Sequence, residues 1–449
     1  MRRILAFLMV AVLMIGCCGC RTAQEAYTPT GDGLSDGKPA DPDKKPQGSR
    51  EMSLPYYPKE SLNPYQCNNY VNRVLFGLVY QGLFAVDADY EPHPVLCQSY
   101  KLSRDMRTYT FYLAKATFSD GTELTAADVV ASLNHAKKTG FYAGRFGYVK
   151  SVKATEEGAV QVELSTPYEN FPILLDVPIV KSSELTHERP LGTGPYLYEQ
   201  VGERFWLRQQ LYWWCKAELP VAAGYINLVE ATDAVQLRDA FEFSGLGMAI
   251  TDPGSVKYAD YHVGSELWAC ESGVFLYLAA HKTSKVFSNA KVRGALTYAV
   301  NRADLAERFF RGFATPAVLP ASPDSPYYEE ALAAKVTHDP GKLTAAVDEA
   351  KLTGSEVVLL VNAGDGIRLR VARAVAEMLE QCGLKVKMSE LSGQSYENAL
   401  KNGKYDLYLG QTKLSPNMDL SAFFKKNGAL NYGGLENASL LDLNYSALA

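Results

Sequence analysis

Residues 357–409 alternate between two hydrophobic periods in an order that few folds accept. Val357 to Val361 is an unbroken apolar run, the pattern of a strand covered on both faces. Ile367, Val371, Val375, Met378, Leu379 and Cys382 then recur on one side of a helix, and Gly383 is placed to stop it. Leu384, Val386 and Met388 alternate as a strand. A short helix follows from Ser395 to Asn402 with Gly403 as its stop, and Tyr405 to Leu409 reads as a third strand. Strand, helix, strand, helix, strand in this order makes a parallel sheet with right-handed crossovers. Ser288 to Arg311 adds two helices, with Asn301 and Asp304 placed to cap the second and Gly312 to end it.

The earlier half mixes the same two periods. Val71, Leu75, Leu78 and Val79 lie at helical spacing, with Gly82 as the expected stop. Tyr109 to Leu113 alternates, as do Val160, Val162 and Leu164, and both stretches read as half-buried strands. Thr125 and Asp128 have the spacing of a capping box at a helix start. The chain therefore reads as two α/β lobes, 51–275 and 276–435, crossing near Ser272 to Thr283. Two lobes on one chain create a cleft, a preferred place for a ligand.

The first fifty residues are of another kind. Arg2 and Arg3 precede a twelve-residue apolar run, Ile4 to Ile15. A bilayer span needs about 20 residues, so this run fits the hydrophobic region of a secretion signal. It ends in Gly16-Cys17-Cys18-Gly19-Cys20, which resembles a bacterial lipoprotein signal. On that reading 1–16 is the signal peptide and Cys17 carries the lipid, with Cys20 as the alternative. Arg21 to Arg50 is polar, rich in Gly and Pro, and cannot bury enough surface to fold. Residues 17–50 thus form an anchor and a flexible tether, spanning roughly 30 Å by the square-root law.

Removing the signal leaves 43 basic against 50 acidic residues with no long basic run, which excludes a nucleic-acid footprint. Five further cysteines, Cys67, Cys97, Cys215, Cys270 and Cys382, match no zinc spacing. Five is odd, so at least one stays unpaired within the chain; export permits disulfides, and buried thiols acting as small apolar residues are the other reading. The six histidines, His262 and His281 among them, show no metal-ligand spacing. No nucleophile elbow, zinc-protease motif or phosphate loop is present, so no catalytic residue, metal or cofactor is expected. Gly192-Thr193-Gly194-Pro195 lacks a third glycine, and Pro195 has no amide to offer a phosphate. Tyr212-Trp213-Trp214 reads as structural packing.

Five ordered segments together resemble the bacterial extracellular solute-binding proteins of family 5. They are Ser61-Leu62-Asn63-Pro64 with the helix to Tyr80-Gln81-Gly82-Leu83; Phe118-Ser119-Asp120-Gly121-Thr122 running into Thr125–Val130; Gly192–Tyr196 with Tyr212-Trp213; Asn289–Arg302; and Tyr405-Asp406-Leu407. The resemblance runs from about Ser61 to Asn437. It implies a two-lobed binding protein of type II, in the large cluster C form, with a ligand cleft between lobes. It further implies a monomeric lipoprotein outside the cytoplasm that delivers a small solute, an oligopeptide or dipeptide, to an ABC permease in the membrane. Family members continue past Asn431-Tyr432-Gly433-Gly434, so 436–449 is expected to be a truncated return segment.

Placement in the family nominates the ligand contacts: Gln66, Cys67 and Asn68 after the first loop, Gln411, Lys413 and Asn417 after the late strand, and Tyr432 as a lid. Gln411 stands where Trp is common. Leu414 stands where peptide binders carry an Asp, Asp419 sits at a helix start, and Lys413 favours an anionic group. Three other readings stay open: a lipid-anchored peptide sensor on the same fold, a nickel or metal-chelate binding component, and a secreted hydrolase.

Overall fold

A computed structural model describes residues 51–251 and 271–448, which fall into two compact units at that division. Cys17, Cys20, the tether, His262 and Cys270 lie outside the described residues.

In the first unit, β1 (Glu51–Tyr56) is followed by α1 (Tyr70–Val79), the short pair β2 (Phe84–Val86) and β3 (Pro92–Pro94), then β4 (Cys97–Leu102), β5 (Thr108–Leu113), α2 (Ala126–Ala136), β6 (Val149–Ala154) and β7 (Val160–Leu164). β8 (Tyr196–Val201), β9 (Arg204–Gln209), β10 (Tyr225–Glu230) and α3 (Ala234–Phe243) complete it. One sheet has the order β1-β10-β9-β8, with β1 parallel to β10; the other, β4-β5-β7-β6, is antiparallel throughout. The alternation expected at β5 and β7 is present: Tyr109, Phe111, Val160 and Val162 are wholly buried. The Thr125–Asp128 capping box is formed in both directions. Burial opposes ionisation of Asp128, yet hydrogen bonds from Thr125 and Ser182 outweigh it and hold the carboxyl below its ordinary value.

α1 does not use Gly82 as its stop. The chain turns extended at Tyr80, because the Gly192–Gly194 turn crosses the helix end. The Gly194 amide donates to the Val79 carbonyl at 2.9 Å, and a Cβ on Gly194 would meet the Leu78 carbonyl oxygen at 2.7 Å. Trp213 and Trp214 both donate their indole N–H to the Thr193 carbonyl, at 2.8 and 3.1 Å, and so lock the same turn. The two tryptophans are structural packing, as expected, while Tyr212 is 94% exposed.

The second unit contains β11 (Val274–Ala280), α4 (Ala290–Ala299), α5 (Arg302–Phe310), α6 (Glu330–Ala333), α7 (Pro340–Glu349), β12 (Glu356–Asn362), α8 (Gly366–Gln381), β13 (Lys385–Leu391), α9 (Gly393–Lys401), β14 (Leu407–Lys413), α10 (Ser421–Phe424) and α11 (Ala438–Leu448). Its sheet runs β11-β14-β12-β13, with β12 parallel to both neighbours, and β11 adds an antiparallel edge that local periodicity does not announce. Gly383 and Gly403 follow the two crossover helices at φ +89° and +62°, a left-handed conformation that glycine adopts without steric cost. β12 is covered on both faces. Val357, Leu359 and Val361 join the core made with α4, α7 and α8, and Leu360 joins Tyr396, Leu400 and Tyr408 on the other side.

Two expectations shift in detail. The Asn301 side chain caps α5 by accepting the Asp304 amide at 3.1 Å, whereas the Asp304 carboxylate pairs with Arg308 at 3.0 Å. The late strand spans Leu407–Lys413, not Tyr405–Leu409, because β11 pairs with it from Ala280↔Leu407 to Val274↔Lys413. Asp406 anchors its start by accepting from the Ser284 hydroxyl (2.6 Å) and the Val358 amide (2.8 Å). Within residues 436–449, α11 is held in this unit by Asn444, which donates to Asp419 at 2.9 Å and accepts from the Leu420 amide at 2.9 Å.

Candidate functional site

Parallel sheets bind ligands past the carboxyl ends of their strands, where loops and helix N-termini converge. In the second unit that edge is built by Asn362 and the turn into α8, by the turn into α9, and by the last residues of β14. Gln411 and Lys413 lie within β14 rather than after it; both are exposed and share one face of the strand, opposite Leu276 and Val274 of β11. The Lys413 stem lies over Gly273, where a Cβ would stand 3.6 Å from the Lys413 Cε. On the other face of β14, a Cβ on Gly410 would meet the Tyr277 ring at 2.5 Å, so glycine is what lets that ring lie across the strand.

Tyr277 begins a run of edge-to-face rings. It meets Tyr408 at 5.7 Å and Phe423 at 5.0 Å, and Tyr408 in turn meets Tyr405 at 5.3 Å and Tyr432 at 6.1 Å. Burial raises the Tyr277, Tyr405 and Tyr408 phenols above their ordinary value, so they stay neutral hydrogen-bonding groups. Tyr432, the nominated lid, is half-buried against this cluster. Asn417 is wholly buried: its Oδ1 accepts from the Ser415 hydroxyl at 2.7 Å, and it shapes the loop from within. Asp419 accepts the Ser421 amide at 2.7 Å, two residues ahead of the α10 helix.

Sequence reasoning missed Arg368. It lies in the first turn of α8, with its Nη2 donating to Asp365 Oδ2 at 3.0 Å while Asp365 Oδ1 accepts the Arg368 amide at 2.9 Å. The guanidinium sits close to Tyr396 of α9: burial raises that phenol, and Arg368 pulls it back down. The signal was there in Asp365 preceding an apolar helix by the spacing of an N-cap, with a cation three residues on.

The nominated residues of the first unit separate by exposure. Gln66 and Asn68 are exposed, and Cys67 between them is 1% exposed with its thiol donating to the Asn69 carbonyl at 3.4 Å. Burial pushes the Cys67 thiol up; it also takes Cys97 to about 12 and Cys215 to about 11. These three and Cys382 are free, buried thiols. The loop before them is a closed hydrogen-bond system. Asn63 Nδ2 donates to the Leu185 and His187 carbonyls (2.9 and 2.6 Å), its Oδ1 accepts from the Tyr65 amide (2.9 Å), and Glu188 accepts from the Ser61 hydroxyl (2.9 Å) and the Leu62 amide (2.5 Å).

His281 bonds the Thr283 hydroxyl through Nδ1 at 2.8 Å and packs edge-on to Tyr405. Burial, then Lys282, lower its pKa, with Asp406 opposing. Among the described residues no group of three His, Cys, Asp or Glu could hold a metal ion, and no helix is long and apolar enough to cross a membrane.

The pattern of the bacterial extracellular solute-binding proteins, family 5 Middle, matches residues 91–431. The glutathione-binding protein GsiB of Salmonella choleraesuis is 27% identical over 357 residues, 74% of this chain and 67% of that protein. Two solved structures share the fold. NikZ from Campylobacter jejuni, in complex with Ni(L-His), has a TM-score of 0.65 at 18% identity, covering 89% of this chain and 87% of its own. The oligopeptide-binding protein AppA from Bacillus subtilis, in complex with a nonapeptide, has a TM-score of 0.62 at 18% identity, covering 89% and 86%.

Proposed function

The chain belongs to the bacterial extracellular solute-binding proteins of family 5, and from that premise we propose that it captures a short peptide outside the cytoplasm and hands it to the permease of an ABC importer. The observation that carries this reading is the family match, which runs through both units of the molecule. The family is one of solute receptors that work with such permeases, and its fold is the two-lobed α/β binding-protein class expected from the sequence.

The peptide reading draws on two supports. GsiB is named for glutathione and the AppA structure holds a nonapeptide, so peptides recur among the relatives. The carboxyl end of the second unit's sheet offers exposed Gln411 and Lys413 on one face of β14 and, on the other, an aromatic cluster with half-buried Tyr432, surfaces that suit a backbone of varied side chains. Gln66 and Asn68 are the contacts proposed for the first unit. Solute touching both units would favour a closed state over an open one, which is the form a permease would recognise. A lipid on Cys17 would hold the receptor, as a monomer, at the membrane face.

Mass spectrometry of solute carried through purification tests the reading. A peptide of two to eight residues is the expected finding, and adding it at 100 times its dissociation constant should stabilise the protein by about 2.7 kcal/mol. Peptide libraries of those lengths that produce no thermal shift would remove the peptide assignment. Loss of uptake on deletion separates an import receptor from a sensor, which would alter transcription with uptake intact.

A further inference from the structure

Large apolar side chains of the first unit lie open to solvent near one end of the sheet β1-β10-β9-β8. Leu211 is 62% exposed, Tyr212 94%, Phe243 82% and Tyr225 49%. The register gathers them. Tyr225 opens β10, opposite Arg208 on β9 and Glu51 on β1. Leu211 and Tyr212 follow just past the end of β9, where the Gln209 amide donates to the Gly224 carbonyl at 3.0 Å. Phe243 ends α3, and the chain beyond it reaches the start of β1, the Gly247 amide donating to the Ser53 carbonyl at 3.1 Å. Between β9 and β10, residues 210–224 carry only Lys216 and Glu218 as charged residues, and the Lys216 ammonium is turned to the Leu211 carbonyl at 3.0 Å. Packing does not require these side chains: Trp213 and Trp214 already lock the neighbouring turn, and a ring as open as Tyr212 adds nothing to a core. A single exposed apolar residue is ordinary, whereas several at one place mark a surface that something covers.

The position of the patch says what covers it. β1 begins at Glu51, so residues 17–50, read as the tether from a lipid on Cys17, join the folded body at this same end. We propose that this end of the sheet is a membrane contact, in which Leu211, Tyr212, Tyr225 and Phe243 rest at the headgroup level of the bilayer that holds the anchor. This rests on the reading of the chain as a lipoprotein. A tether spanning roughly 30 Å keeps the patch beside the bilayer, which makes the contact intramolecular, and a weak surface then suffices. A tyrosine suits that level, with its ring against acyl chains and its hydroxyl in water, while leucine and phenylalanine reach deeper. The same sheet supplies the contrast. Val201 is similarly open at 65%, but it lies at the opposite end, in the turn between β8 and β9.

The test uses the full lipidated chain in vesicles of phosphatidylethanolamine and phosphatidylglycerol with brominated acyl chains, which quench an indole on contact. Tyr212→Trp should add emission that these vesicles quench and unbrominated ones do not. Val201→Trp should add emission that neither quenches. Leu211→Ser with Phe243→Ser, placed in the Tyr212→Trp chain, should relieve the quenching while the lipid keeps the protein on the vesicles. Equal emission of Tyr212→Trp in both kinds of vesicle overturns the proposal, as does quenching of Val201→Trp to the same degree. A blue shift of the added indole that grows with protein concentration without vesicles would show a second copy covering the patch, and overturns it too. A purified chain without lipid on Cys17 fails the lipoprotein reading instead. The same vesicles added to that chain then decide, with quenching of the added indole supporting the contact and unquenched emission overturning it.

Discussion

The first-unit loop at Asn63 and the second-unit rim at Arg368 are both polar, and they differ in how completely their polar groups are answered. Asn63 is wholly buried, and its amide nitrogen and oxygen both find backbone partners. Arg368 is held by one carboxylate and keeps a covered N–H with no partner. The first arrangement leaves nothing for a ligand and defines scaffold. The second is less completely answered, at the edge of the sheet where ligands bind in parallel folds. Polarity alone therefore does not separate scaffold from rim; how fully the polar groups are paired does.

Substitutions can break that contrast. The largest effect should come from Gly194→Ala, since the added Cβ meets the Leu78 carbonyl oxygen at 2.7 Å. A loss of about 3 kcal/mol, read by urea unfolding, is expected from overpacking against backbone. Asn63→Ala should cost about 2 kcal/mol through the carbonyls it strands; a loss near zero would mean the loop is not closed as described. Thr125→Ala, which opens the α2 capping box, should cost about 1 kcal/mol.

Acid sharpens the same comparison. Burial opposes ionisation of Asp120, but Lys181 and Thr122 hydrogen bonds bring its pKa down to about 2. Asp128 is lowered too. Both folded values lie below the unfolded carboxyl value near 4, so the stability they contribute is complete above about pH 4 and fades as pH falls through the folded values. The stability difference between wild type and Asp120→Asn should therefore shrink between about pH 4 and pH 2; a difference that persists at pH 2 would contradict the pairing with Lys181. The smallest effects on folding belong to the rim. Gln411→Ala should change stability by no more than about 0.5 kcal/mol, while solute affinity measured by titration falls.

Most of the second unit's scaffold could be read locally. β12, α8 and β13 each carry a full period of apolar residues, and Gly383 and Gly403 mark where the helices end. The extent of β14 could not be, because its partner β11 lies far earlier in the chain and draws Gly410 to Lys413 into the ladder. The same distance hid Arg368. Its helix was visible, but the phenols that surround it come from β11 and α9, and a spacing rule cannot show that a guanidinium is left half-answered. In the first unit, Cys67 illustrates the converse. Its neighbours Gln66 and Asn68 are exposed, yet the thiol between them turns inward, a choice made by packing and not by pattern.

Native mass spectrometry of the purified protein, followed by release and identification of what it carries, tests the central claim most directly. A small peptide, released chemically intact, is the predicted result. A protein that never carries a solute under any growth condition, or one that returns it cleaved or modified, would contradict the account.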